Sequence, residues 1–413
     1  MNLEDLAELE HDEEEFVPDI IPVDAKISFK ASASKFVAVL NRTVTVAATK
    51  PTIPGTEFTM LEAVSATSTS LAYLQVTATD SKQSVSIVLD GVKTLMPGRV
   101  LVPGKKVLEI LKLVPEDDTL LEVVGTQLTI RSGRVQWTVQ TPVEENLPPM
   151  PDVSGIALHA VSTEEMLQGI DLVSRAVSTS SARTALMQMS VRDGNLTACD
   201  AARFHRMRLE SLPTSLDLMI PHGAVTELTA ALRAHSDLSV FQMGGNDKHL
   251  VFKIGQDTII AQRLLISFPD VDQILLSPAI KNEYSLTVEA KELVDVIKRV
   301  RVNSDPDYSA IFLTTTPKGK TPDGNTVWAL TIHAKDRDGN SSQETIEASW
   351  SSTKPAELCL HHKHLLDLVT YSDQELVTFQ IGPDYKKEKT KLLLQDEPFG
   401  FTGVMQQMNP SYL

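Results

Sequence analysis

The chain has 413 residues, 42% hydrophobic and 22% charged, with a formal net charge of −16 and two cysteines. That length suits two to four domains rather than one core, and no apolar run nears the ~20 residues a membrane span needs. Cys199 and Cys359 are too few for a disulfide framework or a structural zinc site, which points to a reducing, cytoplasmic setting, and the lack of a span-length apolar run points to no membrane partner.

The chain opens on Asn2, Leu3, Glu4 and Asp5, which matches neither a secretory signal nor a basic transit peptide. Residues 1–24 hold ten acids and no Lys or Arg. Such a segment cannot bury enough apolar surface to fold alone, so residues 1–25 read as a flexible acidic tail. Ile27-Ser28-Phe29 reads as a strand. Ser32 to Ala48 has Phe36, Val37, Leu40 and Val44 at helical spacing. Two strands flank Asp80-Ser81. Leu101-Val102-Pro103 leads into a helix from Gly104, whose apolar face is Val107, Leu108, Leu111 and Val114, and Pro115 is the expected stop. Strand pairs follow about Gly125 and Ser132-Gly133, and the prolines up to Pro151 mark a linker.

A second unit repeats this order. Met166, Ile170, Leu172 and Val173 form a helical stripe after Ser162, and Met187–Val191 with Leu196–Leu209 form a hairpin about Asp193-Gly194. Met219-Ile220-Pro221 then leads into a helix from His222 that carries Val225, Leu228, Ala231 and Leu232. A linker is expected at Leu276-Ser277-Pro278. The third unit has a helix over Lys291–Val302, strands from Ile311 to Trp350 about the Asp338-Gly339-Asn340 turn, and a helix from His361 to Val369. The opening helices start near Ser32, Ser162 and Ala290, 130 and 128 residues apart. A tripled unit of two helices on antiparallel sheet is an α+β architecture. The units span 26–152, 153–280 and 281–413.

Within this acidic chain, cations concentrate on the repeated helices. Ile27–Lys50 carries Lys30, Lys35, Arg42 and Lys50 without an acid, Gly104–Val114 carries three lysines against Glu109, and Lys291–Val302 carries four cations against two acids. One reading is solvated helix faces; their recurrence favours a phosphate-facing surface. No nucleophile elbow, P-loop or H-E-x-x-H is present. His361-His362-Lys363-His364 is the metal candidate, but no carboxylate or cysteine completes a ligand set at motif-like spacing. Asp336–Asn340 reads as a β-turn, because counting an EF-hand loop about Gly339 puts Ala334 first and Thr345 twelfth. Cys199 reads as a small buried residue.

Four strings together resemble one family: Lys50-Pro51-Thr52-Ile53-Pro54, Leu128-Thr129-Ile130-Arg131-Ser132-Gly133-Arg134, Leu196-Thr197-Ala198-Cys199-Asp200-Ala201-Ala202-Arg203-Phe204 and Ser267-Phe268-Pro269-Asp270-Val271. In order and spacing they are similar to the bacterial DNA polymerase III beta subunit, the sliding clamp, from about Lys26 to Met408. The resemblance implies a non-catalytic processivity factor for DNA replication without a cofactor. Its three similar domains pair head to tail as a homodimer, a ring around double-stranded DNA, and its partners are the DNA polymerase catalytic subunit, the clamp loader and other proteins bearing a clamp-binding motif. Carried across residue by residue, it implies DNA contacts at Lys50, Thr179, Ser180, Arg183, Thr184 and His222. Because the family often has aromatic or more basic residues at Thr184, Ala185 and Gly223, Lys35, Arg42, Lys105, Lys298 and Arg299 are expected to add charge. It also implies a partner-peptide pocket at Leu186, Cys199, Ala201, Ala202, Arg203, Phe204, Pro269, Ile274, His364, Val404 and Met405, with Ala201-Ala202 where the family has Gly-His and Phe204 where it has leucine. The seam of the dimer is implied at Trp137 against Val302 and Asn303. Two rivals are a metal-dependent hydrolase using His361–His364 and a peptide-binding adaptor that binds no DNA.

Overall fold

The computed structural model describes residues 25–143, 147–264, 266–271, 273, 284–320, 322, 326–371, 373–382 and 391–409. The acidic tail, apart from Ala25, the linker at 276–278 and Ile274 lie outside them. The described residues fall into two compact units, one within Met1–Ser81 and Ser86–Pro149, the other within Lys82–Val85 and Met150–Leu413. Both are α+β. No helix among the described residues is long and apolar enough to cross a membrane.

In the first unit β1 (Ala25–Ser32) runs directly into α1 (Ala33–Val46). Ser32 sets the junction: its hydroxyl accepts the Lys35 amide at 3.3 Å, satisfying one of the donors a helix start leaves open. Asp117 braces the same turn by accepting the Ser34 amide at 2.7 Å. The buried face of α1 is Phe36, Val39, Leu40 and Thr43, so the expected stripe is rotated: Val37 and Val44 are only half-buried. The rotation follows from Thr43, whose hydroxyl bonds the Val39 and Leu40 carbonyls and can therefore be buried.

Next come β2 (Thr59–Val64), β3 (Tyr73–Thr79), β4 (Gln83–Asp90), β5 (Lys93–Met96), β6 (Gly98–Val102), α2 (Gly104–Leu111), β7 (Asp118–Val124), β8 (Gln127–Ser132) and β9 (Val135–Gln140). One sheet has the order β5-β1-β7-β8-β9, which leaves β9 at an edge. Gly104 lets α2 approach β2, since a Cβ there would lie 2.3 Å from the Thr59 hydroxyl. α2 ends at Leu111, short of Pro115. Leu113 points into solvent, 74% exposed, and proline disfavours helical backbone at Val114.

The second unit begins with β10 (His159–Ser162), α3 (Thr163–Val173), β11 (Gln188–Arg192), β12 (Asn195–Cys199), β13 (Arg203–Arg208), β14 (Leu218–Pro221), α4 (His222–Ala234), β15 (Val240–Gly245), β16 (His249–Ile254) and β17 (Asp257–Gln262). It continues with β18 (Tyr284–Glu289), α5 (Ala290–Val300), β19 (Ala310–Lys320), β20 (Thr326–Lys335), β21 (Ser341–Trp350), β22 (Glu357–His361), α6 (His362–Val369), β23 (Leu376–Ile381), β24 (Lys391–Asp396) and β25 (Phe401–Gln406). The strand-then-helix opening thus recurs at β1–α1, β10–α3 and β18–α5. Ser162 caps α3 as Ser32 caps α1, accepting the Glu165 amide at 3.3 Å.

Twelve strands of the second unit form one sheet in the order β14-β11-β12-β13-β25-β24-β23-β18-β21-β20-β19-β22. Its fourth and fifth strands are the antiparallel pair β13–β25, which sets Arg203 opposite Met405 and Phe204 opposite Val404. The single strand expected over Leu196–Leu209 is two strands. They break at Asp200-Ala201-Ala202, where Asp200 Oδ1 accepts the amides of Ala202 (3.0 Å) and Arg203 (3.1 Å) and Ala201 takes φ 77°. The helix expected to reach Val302 ends at Val300, and Arg301–Asn303 form a 3₁₀ turn.

Candidate functional site

The cations singled out on the first unit sit where solvent reaches them. Lys35 on α1, Lys105 on α2 and Lys50 beyond α1 are exposed, and Arg42 is half-buried on α1. In the second unit, Thr179, Ser180, Arg183 and Thr184 lie exposed between α3 and β11, and His222 is exposed as the first residue of α4. Arg183 Nη1 donates to the Asp200 carbonyl at 3.0 Å, which ties this loop to the β12–β13 turn. On α5, Lys298 lies 3.7 Å from Asp295, while Arg299 forks onto Glu344 of β21 at 2.9 and 2.6 Å. Arg299 is therefore already paired; Glu344 holds its guanidinium further up, and is itself held below the usual carboxylate range by the same hydrogen bonds.

Of the residues singled out for a peptide pocket, four converge. Leu186, Cys199, Phe204 and Val404 are buried in one cluster with Val271 and Leu393, and Phe268 packs against it half-buried. Met405 points to the other face of the sheet and is also buried. Pro269, Ala201 and Ala202 are exposed, and Pro269 lines a cavity of about 260 Å³ beside the cluster with Phe268, Asp270, Val271 and Arg206. Burial pushes the Cys199 thiol up to about 11, so it is an apolar wall and not a nucleophile.

Arg203 is the hub beside this cluster. Its side chain is 9% exposed. Nε donates to Asp200 Oδ2 at 3.0 Å, Nη1 to Asp367 Oδ2 at 2.6 Å, and Nη2 to the Arg175 carbonyl. Arg175 in turn donates from Nη1 to the Thr370 hydroxyl at 2.9 Å and to the carbonyls of Asp367 and Thr370 at the end of α6, where a cation complements the helix dipole. Two arginines thus bridge α3 and β13 to α6. Asp200, Asp367, Arg175, Val271, Leu393 and Phe268 were not picked out as site residues from the sequence. Arg175, Asp367 and Leu393 come from segments up to about 200 residues apart, and no local spacing announces them; Asp200, three residues before Arg203, and Phe268 and Val271 lie within the strings quoted above.

The histidine cluster has a structural task. His361 precedes α6, and its Nδ1 accepts the His364 amide at 3.4 Å while the two rings stack at 4.0 Å. Burial, with Arg203 nearby, pushes His364 down to about 3, and burial with His361 takes His362 down to about 4. Among the described residues no three His, Cys, Asp or Glu side chains converge to hold a metal ion. Trp137 is half-buried on the edge strand β9; Val302 is 77% exposed and Asn303 half-buried just after α5.

The first unit matches the family described as "DNA polymerase III beta subunit, N-terminal domain" over residues 27–151. The chain is 23% identical to the beta sliding clamp of Pseudomonas aeruginosa over 292 residues, 68% of this chain and 75% of that one. It is 22% identical to that of Chlamydia muridarum over 321 residues, 75% and 82% of the two chains. Among solved structures it resembles the beta sliding clamp of C. crescentus with a TM-score of 0.79 at 18% identity, covering 93% of this chain and 99% of that one. The sliding clamp of Bacillus subtilis gives 0.78 at 17% identity, with the same coverage. With the family match on the first unit, relatives over most of the chain and the same fold nearly end to end, the chain is similar to the bacterial beta sliding clamps and shares their fold.

Proposed function

We propose that this chain is a DNA sliding clamp, a processivity factor with no catalytic activity of its own. The observation that carries this reading is likeness to beta sliding clamps over 93% of the chain. Three similar domains, 26–152, 153–280 and 281–413, pair head to tail as two copies around double-stranded DNA in the cytoplasm. Lys35, Lys50, Lys105, Arg183 and His222 face the duplex, and their exposure supports this. Loose phosphate contacts from scattered cations hold a duplex without fixing its register, which is what sliding requires.

The Leu186–Val404 cluster and its bordering cavity receive an apolar plug from the polymerase catalytic subunit, the clamp loader and other clamp-binding proteins. Trp137 meets Val302 and Asn303 of the second copy at the seam. An aromatic half-exposed on an edge strand and an exposed valine suit that role. The hydrolase reading is not favoured, because His361 spends its Nδ1 lone pair on the start of α6. Sedimentation equilibrium tests the ring: a mass of two copies supports it, and a monomer at micromolar concentration contradicts it.

A further inference from the structure

A second cavity, of about 490 Å³, lies along the strand pair β19–β22 and shares no lining residue with the apolar cluster. Its floor is set by register: Phe312 stands opposite Cys359, and Thr314 opposite Glu357, all on one face. His333 stacks on Phe312 at 4.8 Å and 9°, holding that ring in place. Pro355 and Gln407 complete the wall. Gln407 is held there because the next residue, Met408, donates its amide to the Cys359 carbonyl at 2.8 Å.

Gln407 is 7% exposed, and its Oε1 has no hydrogen-bond partner among the described residues. A buried acceptor left open costs free energy that a donor from outside would recover. The other polar groups ask for the same partner. Glu357 is a carboxylate, Thr314 offers hydroxyl lone pairs, and the face of Phe312 attracts cations. Burial keeps the Cys359 thiol neutral and lowers the His333 imidazole, so neither supplies a positive charge. Acceptors, one carboxylate and an aromatic wall form a site that lacks only a flat cationic donor.

We infer that this cavity receives an arginine side chain of a partner polypeptide. A guanidinium fits better than an ammonium, because it can stack on Phe312 while donating in its plane to both Glu357 and the Gln407 oxygen. The inference does not rest on the clamp reading, since it uses only this cavity's own chemistry. It sets this surface apart from the apolar cluster and predicts a basic residue in the partner that fills it.

The test is an NMR titration of the full chain with N-acetyl-arginine methylamide, following the Gln407 side-chain amide. The citrulline analogue, which is neutral and of the same shape, and the lysine analogue serve as comparisons. Saturating shifts in the millimolar range, weaker by about tenfold for citrulline and in the Glu357→Gln variant, support the site. Because Glu357 is exposed, that variant should stay folded; Phe312→Leu provides a second, with weaker arginine binding expected. Equal shifts with arginine and citrulline, an unchanged affinity in Glu357→Gln, tighter binding of the lysine analogue, or no shift at Gln407 would each overturn the inference.

Discussion

Replacing Arg203 by methionine keeps the aliphatic stem and removes only the guanidinium, which makes it a sharp probe of how the second unit is joined. The change deletes a 3.0 Å bond to Asp200, a 2.6 Å bond to Asp367 and the bond to the Arg175 carbonyl. Breaking a buried ion pair by removing one partner costs about 3–5 kcal/mol. Two features place this case at the low end. Asp200 keeps two backbone donors, and the Asp367 side chain is 35% exposed and can rehydrate. The expected loss is therefore about 3 kcal/mol, against about 1 kcal/mol for Asp367→Asn, which leaves a neutral acceptor in place. The double variant should lose less than the sum, with a coupling of about 1.5 kcal/mol. Urea unfolding in a Trp137→Phe background reads this cleanly, since the remaining tryptophans, Trp328 and Trp350, both belong to the second unit. A loss under about 1 kcal/mol for Arg203→Met, or a coupling near zero, would refute the view that these charges tie α6 to β13.

Other perturbations follow from single residues. Ala201→Gly should stabilise by about 0.5–1 kcal/mol, because Ala201 holds φ 77° with a Cβ; a loss of stability in urea would contradict the strain. Gln188 is fully buried with neither amide atom bonded among the described residues, so Gln188→Leu should raise stability by about 1–2 kcal/mol, and a drop in the unfolding midpoint would show that the amide has a partner. His205 is buried, its Nδ1 lies 2.9 Å from the Leu172 carbonyl, and burial pushes it down from 6.5 to about 4. The folded state then binds fewer protons than the unfolded one between those values. Stability should be full above pH 6.5 and fall by up to about 3 kcal/mol towards pH 4, and His205→Asn should flatten that slope; an unchanged pH profile would remove His205 as its source. Trp137→Ala should weaken the dimer by a few kcal/mol, roughly a hundredfold in dissociation constant, and an unaltered sedimentation profile on dilution would exclude Trp137 from the seam.

The parts of this fold that were legible in the sequence are those whose cause is local. Ser32 and Ser162 announce helix starts because the capping hydroxyl and the amide it accepts are three residues apart. The turn at Gly339 is legible because Asp336 bonds Asn340 within five residues. The stripe of α1 is read one step off because a threonine counts as polar until its hydroxyl is seen bonded along its own helix. The break at Ala201 is hidden because alanine does not advertise left-handed backbone; only Asp200, capping its own turn, hints at it. The resemblance brings Leu186, Cys199, Phe204 and Val404 to notice, but what surrounds them comes from distant segments. Arg175, Asp367 and Leu393 meet Arg203 and Val404 only through the twelve-stranded sheet.

Retention on DNA after loading tests the central claim most directly. The chain is loaded onto nicked circular duplex by a clamp loader, passed through a sizing column in high salt, and compared with the same DNA linearised after loading. A clamp stays with the circle, because the link is topological and screening phosphate contacts does not release it, and it runs off the linear ends. Equal loss from both forms in high salt would show that ordinary electrostatic binding is all this chain has.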